Sequence, residues 1–449
     1  MHVVFACSDD QDPQPFVPGI HYVVEQDRVG RPKWQRDVLG VVAMLLDYVA
    51  AHRGTEGGIT PEDLLGFTRT LLVGTRHLDA DGRRGLWWPS RSRDRTAKLL
   101  ATATAFLDWL AERTGQPNAN PWATASTAER LCQMRRLNRN AVHSLLDHVV
   151  SRERLEESAG RVRSVRMRRS PKDSPFDAAL AFDDKRFEDL LHNGFARPNG
   201  HQPPLPSPSR LRDLLITILL NAGGLRLCEP FHLFLGDVRD DPQLPGSALV
   251  RLFHPEDGQA PEYCGRSWPD RTSYLRERWQ RVPRTMEASG AHAGWKNLAL
   301  EDGKAKCAFV HWCHPSWGYE FLRLFRAYIA CRSRGSHPYL FVSERRECRG
   351  QPYTIASFWQ AHRRAILRIG LEPSKSGGTS PHGHRHAYGK RLMRAGLKPI
   401  FIQRAMHHRS AESQLVYTAP SAEELSAAIR DAESAMKASA VQKPVGGEP

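Results

Sequence analysis

Apolar residues in the first third of the chain recur at intervals of three and four, the spacing that places side chains on one face of an α-helix. Gly54 and Gly115 follow two such runs, where glycine commonly ends a helix, and Thr60 before Pro61 is typical of a helix start. The pattern predicts helices over residues 32–53, 60–72, 99–114 and 126–150. We therefore expect a helical N-terminal domain over residues 1–158.

The helical periodicity stops at residues 159–173, where a run rich in arginine leads into prolines. Such a run can hardly bury itself, so it predicts an exposed basic linker, which is either a solvated charge run or a segment lying along a phosphate backbone. Helical spacing returns over residues 211–220, 319–328, 354–369, 385–395 and 399–406. A second domain is predicted over residues 174–435, followed by a polar tail at 436–449.

Residues 247–312 lack helical spacing. Their short apolar runs, SALVRLF, NLAL and CAFVHW, are separated by charged and glycine-containing segments, which predicts a few antiparallel strands carrying a long insertion. The expected fold class is therefore mainly α with a small antiparallel β-sheet.

Charge narrows the range of partners. The 449 residues hold 64 Lys and Arg against 49 Asp and Glu, a formal charge of +15 with a pI near 9.7. Such a surface attracts polyanions and favours nucleic acid, although ribosomal, membrane-surface and simply basic enzymes share these totals. Arginine supplies most of the excess, and its planar fork suits phosphate contacts.

The sequence features that bear on cellular location favour the cytoplasm. The N-terminus lacks a basic flank followed by a long apolar run, and no stretch approaches the roughly 18 apolar residues of a membrane span. The 8 cysteines contain no CxxC pair, which favours reduced thiols. We expect a soluble cytoplasmic protein without membrane contact.

Three separated segments carry candidate chemistry: GGLRLCEPFHL at 223–233, SPHGHRHAYGKRLMRAGLKPIFIQRAMHHRS at 380–410 and QLVYTAP at 414–420. Together they supply arginines, histidines and a tyrosine, which are the groups that phosphoryl transfer to a side chain needs. The first segment resembles the first arginine box of the tyrosine recombinase, or phage integrase, family. There a glycine-containing turn leads to arginine, here Arg226, and an acidic residue follows, here Glu229.

The other two segments extend the resemblance. HGHR resembles the H-x-x-R box of the family and places His382 and Arg385 one helical turn apart, while His386 matches a histidine that commonly follows. The 9 residues from His408 to Tyr417 equal the family interval. The resemblance implies a helical core-binding domain joined to an α+β catalytic domain, clamped around double-stranded DNA.

The resemblance also implies roles. Arg226 and Arg385 would bind the scissile phosphate, and Tyr417 would attack it to give a 3'-phosphotyrosine and a free 5'-hydroxyl. His382 is the candidate base and His408 the candidate donor to the phosphate. Because the intermediate retains the energy of the broken bond, we expect no cofactor and no metal.

Two features depart from the family pattern. His407 stands where glycine is usual, so either that turn accepts a side chain or the histidine register is ambiguous, although the spacing favours His408. The long insertion blurs the position of the catalytic lysine, which would protonate the leaving 5'-oxygen. Lys296 is the preferred candidate over Lys304 and Lys306 because of its hairpin position.

Other interpretations remain open. His382, His384 and His386, and likewise residues 311–314, invite a metal site, but helical spacing would put the triplet on different faces. A metal-dependent nuclease and a catalytically inactive DNA-binding regulator are the alternative functions. An active member of the family would act as a homotetramer on DNA, with residues 421–437 as a candidate helix for docking into a neighbour. Length and insertion suggest an integrase of a bacterial mobile element.

Overall fold

The computed structural model describes residues 3–8, 11–27, 32–53, 57–78, 82, 84–142, 152–167, 181–196, 207–262, 264–288, 290–296, 298–409, 426 and 430. The chain divides into two compact units, residues 1–172 and 173–449. The predicted fold class is confirmed, since both units are mainly helical with small antiparallel sheets. Among the described residues, no helix is long and apolar enough to cross a membrane.

Helices dominate the first unit. They are α1 (Val17–Gln26), α2 (Pro32–Arg53), α3 (Pro61–Val73), α4 (Arg93–Thr114), α5 (Thr127–Val142) and α6 (Arg152–Ala159). The predictions for α2, α3 and α4 are confirmed, and Thr60 caps α3 in a reciprocal pair with Asp63. The predicted helix 126–150 corresponds to α5 as far as residue 142, and residues 143–151 lie outside the described part. Leu45, Phe67 and Phe106 are buried in the shared core.

Two strand pairs in the first unit were not predicted. β1 (Phe5–Ser8) pairs with β2 (Gln11–Pro15), and β3 (Trp122–Thr124) pairs with β4 (Arg161–Arg163), both antiparallel. β4 lies in the segment predicted to be an exposed basic linker, and that prediction is wrong for its first half. Val162 is buried, while Arg163 forms an ion pair with Asp108 at 2.5 Å. Alternation of valine and arginine lets one face bury while the charges are neutralised on the other.

The second unit is built around a buried helix. Its helices are α7 (Pro208–Asn221), α8 (Arg271–Trp279), α9 (Pro315–Cys331), α10 (Ile355–Arg368), α11 (Pro381–Arg394) and α12 (Pro399–Ala405), preceded by the short turns Asp184–Arg186, Phe187–Asp189 and Leu190–Gly194. Every residue of α7 from Leu211 to Asn221 is buried. α9, α10 and α11 pack against α7, so a helix that is apolar on most sides forms the centre of the unit.

One three-stranded antiparallel sheet completes the second unit, in the order β5 (Val238–Asp240), β6 (Ala248–Phe253) and β7 (Cys307–Phe309). The strands predicted from SALVRLF and CAFVHW are confirmed. The strand predicted from NLAL is wrong, because residues 298–300 pair with no strand and Leu298 is instead buried against the core. Its apolar character reflects burial alone.

The long insertion predicted between the strands separates β6 from β7 and contains α8. Two buried arginines attach it to the rest of the unit. Arg271 donates to Asp237 at 2.5 and 3.0 Å, and Arg284 donates to the carbonyls of Ala291, Phe231 and Tyr353. Lys296 follows α8 within this insertion and does not lie in a strand.

Candidate functional site

A sharp turn after α7 delivers Arg226. Gly224 in this turn has a φ of 68°, in the left-handed region, and a Cβ there would lie 2.3 Å from the ring of Tyr388 on α11. Glycine satisfies both constraints at once, because it accepts this backbone conformation and leaves room for the ring. The GGLR pattern therefore encodes a close approach between the end of α7 and α11.

Glu229 holds Arg226 from the buried side. Its carboxylate is fully buried, accepting a hydrogen bond from the Arg226 backbone N–H at 2.8 Å and another from Arg226 Nη1 at 2.9 Å. The Arg226 side chain remains 17% exposed. One carboxylate thus fixes both the backbone and the guanidinium while leaving the arginine accessible to a ligand.

Arg385 on α11 connects two of the three motif segments. It is 1% exposed, and its Nη1 donates to the carbonyl of Gly224. Its Nη2 donates to the carbonyl of Met406 at 2.5 Å and to His408 Nε2 at 2.9 Å. The arginine fork therefore joins the turn before Arg226 to the turn that follows α12.

The turn after α12 places two consecutive buried histidines against different partners. His407 has a φ of 53° and is buried, and its Nε2 donates to the Phe309 carbonyl of β7 at 2.7 Å. His408 contacts Arg385 instead. The turn keeps the left-handed conformation for which glycine is usual and directs the extra side chain onto the sheet, so the contact with Arg385 supports His408 as the site histidine.

The protonation state of His408 follows from its partner. Burial and the neighbouring Arg385, Arg226 and His407 lower the pKa of His408 to about 3, so the ring is neutral near pH 7. A guanidinium can only donate, so Nε2 must be the acceptor and the single ring proton must sit on Nδ1. His408 can donate only through Nδ1 in this state.

His382 experiences the charges of Lys296 and of both motif arginines. The ring of His382 stacks edge-on against His386 with centroids 4.4 Å apart. Although His382 is exposed, partial desolvation and the cations Arg385, Lys296, Arg226 and Lys375 lower its pKa to about 4. The charge of Lys296 also acts on Cys228, next to the Arg226 turn.

The other candidate lysines lie in a different place. Lys304 and Lys306 are exposed in the turn leading into β7, where the backbone N–H of Lys304 donates to Asp302. The electrostatic contact with His382 therefore favours Lys296.

His384 belongs to the core. Its Nδ1 accepts from Asn221 Nδ2 at 3.0 Å, so its Nε2 carries the proton and donates to His362 Nε2 at 2.8 Å. Helical spacing separates it from His382 and His386, as predicted. Within the described ranges, no group of three histidine, cysteine or acidic side chains is arranged to hold a metal ion.

The arrangement thus gathers Arg226, Lys296, His382, Arg385 and His408. Tyr417, the predicted nucleophile, lies outside the described residues, as do all residues of the candidate docking helix 421–437 except 426 and 430. Sequence reasoning missed Lys375, whose charge acts on His382, and Glu301, which pairs with Arg404 and lies 3.9 Å from His407. Both stand in short polar loops, and no motif or periodicity distinguishes them.

Comparisons with known proteins agree with the motifs. Residues 314–424 match the model of the phage integrase family. No curated protein matches the chain. Solved structures similar to it include XerA recombinase, 14% identical with a TM-score of 0.35 over 92% of this chain and 96% of that chain. XerH site-specific recombinase bound to difH substrate before cleavage is 13% identical with a TM-score of 0.46 over 94% and 90%.

A lambda integrase dimer bound to a core site is also similar, at 9% identity and a TM-score of 0.44 over 93% of this chain and 78% of that chain. The family match spans His382, Arg385, His408 and Tyr417. The recognition predicted from the sequence is therefore confirmed: residues 314–424 carry a domain of the phage integrase family.

Proposed function

We propose that this chain is a site-specific tyrosine recombinase that cleaves and rejoins double-stranded DNA through a covalent 3'-phosphotyrosine, in the service of a mobile genetic element. The main support is the hydrogen-bonded unit in which Arg385 joins the Arg226 turn to His408, with Lys296 and His382 beside it. Its many cations suit a phosphodiester, whose negative charge grows on the non-bridging oxygens during transfer.

The two arginines have different roles because their side chains differ in exposure. Arg226 keeps part of its side chain open and donates directly to a non-bridging oxygen of the phosphate. Arg385, which is almost fully buried, adds positive charge from the protein side and fixes the tautomer of His408. His408 then donates through Nδ1 to the same phosphate.

Formation of the new bond and cleavage of the old bond each require the transfer of one proton. The Tyr417 oxygen attacks phosphorus and gives its proton to His382, which is neutral near pH 7 because of its lowered pKa. The bond from phosphorus to the 5'-oxygen breaks, and Lys296 supplies the proton to that oxygen. Since an unperturbed tyrosine has a pKa of about 10, the surrounding cations must also stabilise the phenolate. Attack by a 5'-hydroxyl on the phosphotyrosine reverses the sequence and rejoins the strand.

Assembly is part of the proposal. Residues 1–158 bind DNA as the core-binding domain and residues 174–435 carry the chemistry. Four copies act on two duplexes, with residues 421–437 docking into a neighbouring copy.

A trapped covalent adduct tests the function. The substrate is a duplex that the protein selects from a random-sequence pool, nicked so that cleavage releases a short fragment and prevents rejoining. We expect an adduct that survives EDTA and disappears in Tyr417→Phe, while Tyr319→Phe, at an exposed tyrosine of α9, retains it. Specific binding without an adduct would instead identify a DNA-binding regulator, and cleavage abolished by EDTA would identify a metal-dependent nuclease.

A further inference from the structure

A buried carboxylate outside the motif segments lies between the lysine loop and the histidine turn. Glu301 follows Lys296 by 5 residues and precedes β7, and its side chain is only 6% exposed. A buried acid requires compensating donors, because burial alone disfavours the charged form. The donors around Glu301 come from two different parts of the second unit.

The first group of donors belongs to β7 and the residues after it. The backbone N–H of Phe309 donates to Glu301 Oε1 at 3.1 Å, and His311 Nε2 lies 2.9 Å from the same oxygen. These contacts fix the carboxylate against the sheet.

The second group belongs to the helix and turn that carry His408. Arg404 of α12 donates through Nε to Glu301 Oε2 at 2.8 Å, and His407 Nε2 lies 3.9 Å from Oε1. The backbone N–H of Ala299 donates to the His407 carbonyl at 3.3 Å. The segment that follows Lys296 is thus attached once to α12 and once to the turn that presents His408.

These donors outweigh the effect of burial. Hydrogen bonds from His311, Arg404 and the Phe309 backbone lower the pKa of Glu301 to about 2, so the carboxylate is ionised throughout the neutral range. The contacts with Arg404 and His311 therefore involve a full negative charge.

We propose that Glu301 is a positioning residue that holds the Lys296 loop and the His408 turn in one fixed geometry. This inference rests on the proposed function, because it assigns Lys296 the task of protonating the leaving 5'-oxygen. Glu301 touches neither DNA nor the reacting atoms in this scheme. Its loss displaces the lysine, so the step that suffers is proton delivery to the leaving group.

A substrate with sulfur in place of the bridging 5'-oxygen isolates that step. A thiolate is a much better leaving group than an alkoxide and does not need the acid, so the substitution rescues defects in proton donation and no others. Single-turnover cleavage of oxygen and sulfur substrates at saturating DNA is compared for Glu301→Gln, Lys296→Met and Tyr417→Phe. DNA affinity and urea unfolding are measured in parallel.

We expect Glu301→Gln to slow cleavage of the oxygen substrate by about tenfold or more and of the sulfur substrate by less than about threefold, since misplaced groups lose catalytic power steeply. Lys296→Met should show the same pattern more strongly, and Tyr417→Phe should be inactive on both. The matched control is Glu320→Gln, which breaks a surface pair with Arg323 on α9.

A second variant tests the same role in case the Glu301→Gln protein does not fold. Arg404→Met removes one contact of Glu301 through a side chain that is 68% exposed, so the fold should survive. It should reproduce the sulfur-rescued defect in weaker form. Equal losses on both substrates in Glu301→Gln and Arg404→Met, or no loss in either, would overturn the positioning role. Absence of any adduct with wild-type protein would instead remove the proposed function, and the inference with it.

Discussion

Replacing Arg385 with lysine keeps the charge of the site but removes its geometry. Arg385 serves three buried acceptors, the carbonyls of Gly224 and Met406 and the Nε2 of His408. A single ammonium cannot replace a fork that spans two turns of the chain, so we expect two acceptors to lose their donor. At about 1–3 kcal/mol for each unsatisfied buried group, the free energy of unfolding should fall by about 2–6 kcal/mol.

The rate of adduct formation in Arg385→Lys should fall by more than the loss of folding stability explains. Without the bond from Nη2, His408 is no longer restricted to the tautomer that carries its proton on Nδ1. Loss of one preorganised donor to a developing oxyanion typically costs about 10²–10³-fold in rate, and we expect a defect of that size in adduct formation.

The assay combines single-turnover adduct formation at saturating DNA with urea unfolding, both below the temperature at which the variant begins to unfold. Arg394→Lys is the control, because it makes the same substitution at an exposed position of the same helix, α11. An Arg385→Lys protein that unfolds at the wild-type urea concentration would contradict the three-acceptor argument. A stable variant with wild-type cleavage would show that charge alone is sufficient there.

Three further changes test other contacts. Gly224→Ala should cost more than about 2 kcal/mol by thermal unfolding, because it combines a left-handed φ with overlap of the Tyr388 ring, whereas Gly236→Ala meets open space and should be nearly neutral. Burial lowers the pKa of His362 to about 3, so the unfolded chain binds its proton first, and this histidine alone should contribute a fall in stability of about 1.4 kcal/mol per pH unit below roughly pH 6.5. His362→Gln should reduce the slope of stability against pH in urea unfolding by that amount. Arg271→Met leaves a buried carboxylate unpaired and should cost about 3–5 kcal/mol by urea unfolding, unlike the same change at an exposed arginine of α8.

The helices were predictable because burial imposes a period on the sequence. α3 shows this directly, since its apolar spacing and its predicted start at Thr60 and Pro61 agree with the structure, and the apolar spacing of α7 agrees as well. The same reasoning failed for residues 298–300 and for β4. An apolar run indicates that side chains are buried, but it does not indicate whether the backbone pairs with a strand. In β4, the high arginine content suggested full exposure although a valine faces inward.

The candidate site was predictable only as a list of residues. Motif order and spacing indicated Arg226, Arg385 and His408. They did not indicate that Arg385 would hydrogen-bond to backbone carbonyls in the turns that carry the other two residues. No sequence pattern indicated Glu301, because its partners are separated from it by 8 to 106 residues. Contacts of that kind follow from tertiary packing and have no local pattern.

His407 stands where the family usually has glycine, and this difference leaves the geometry of the site intact. A non-glycine residue at a φ of 53° carries a conformational cost of the order of 1 kcal/mol. The hydrogen bond from His407 Nε2 to the Phe309 carbonyl contributes stabilisation of similar size, about 0.5–1.5 kcal/mol. The turn therefore keeps its direction, and His408 still reaches Arg385. Loss of the usual glycine gives no reason to infer loss of catalysis, because a histidine that bonds to the sheet preserves what the glycine would have provided.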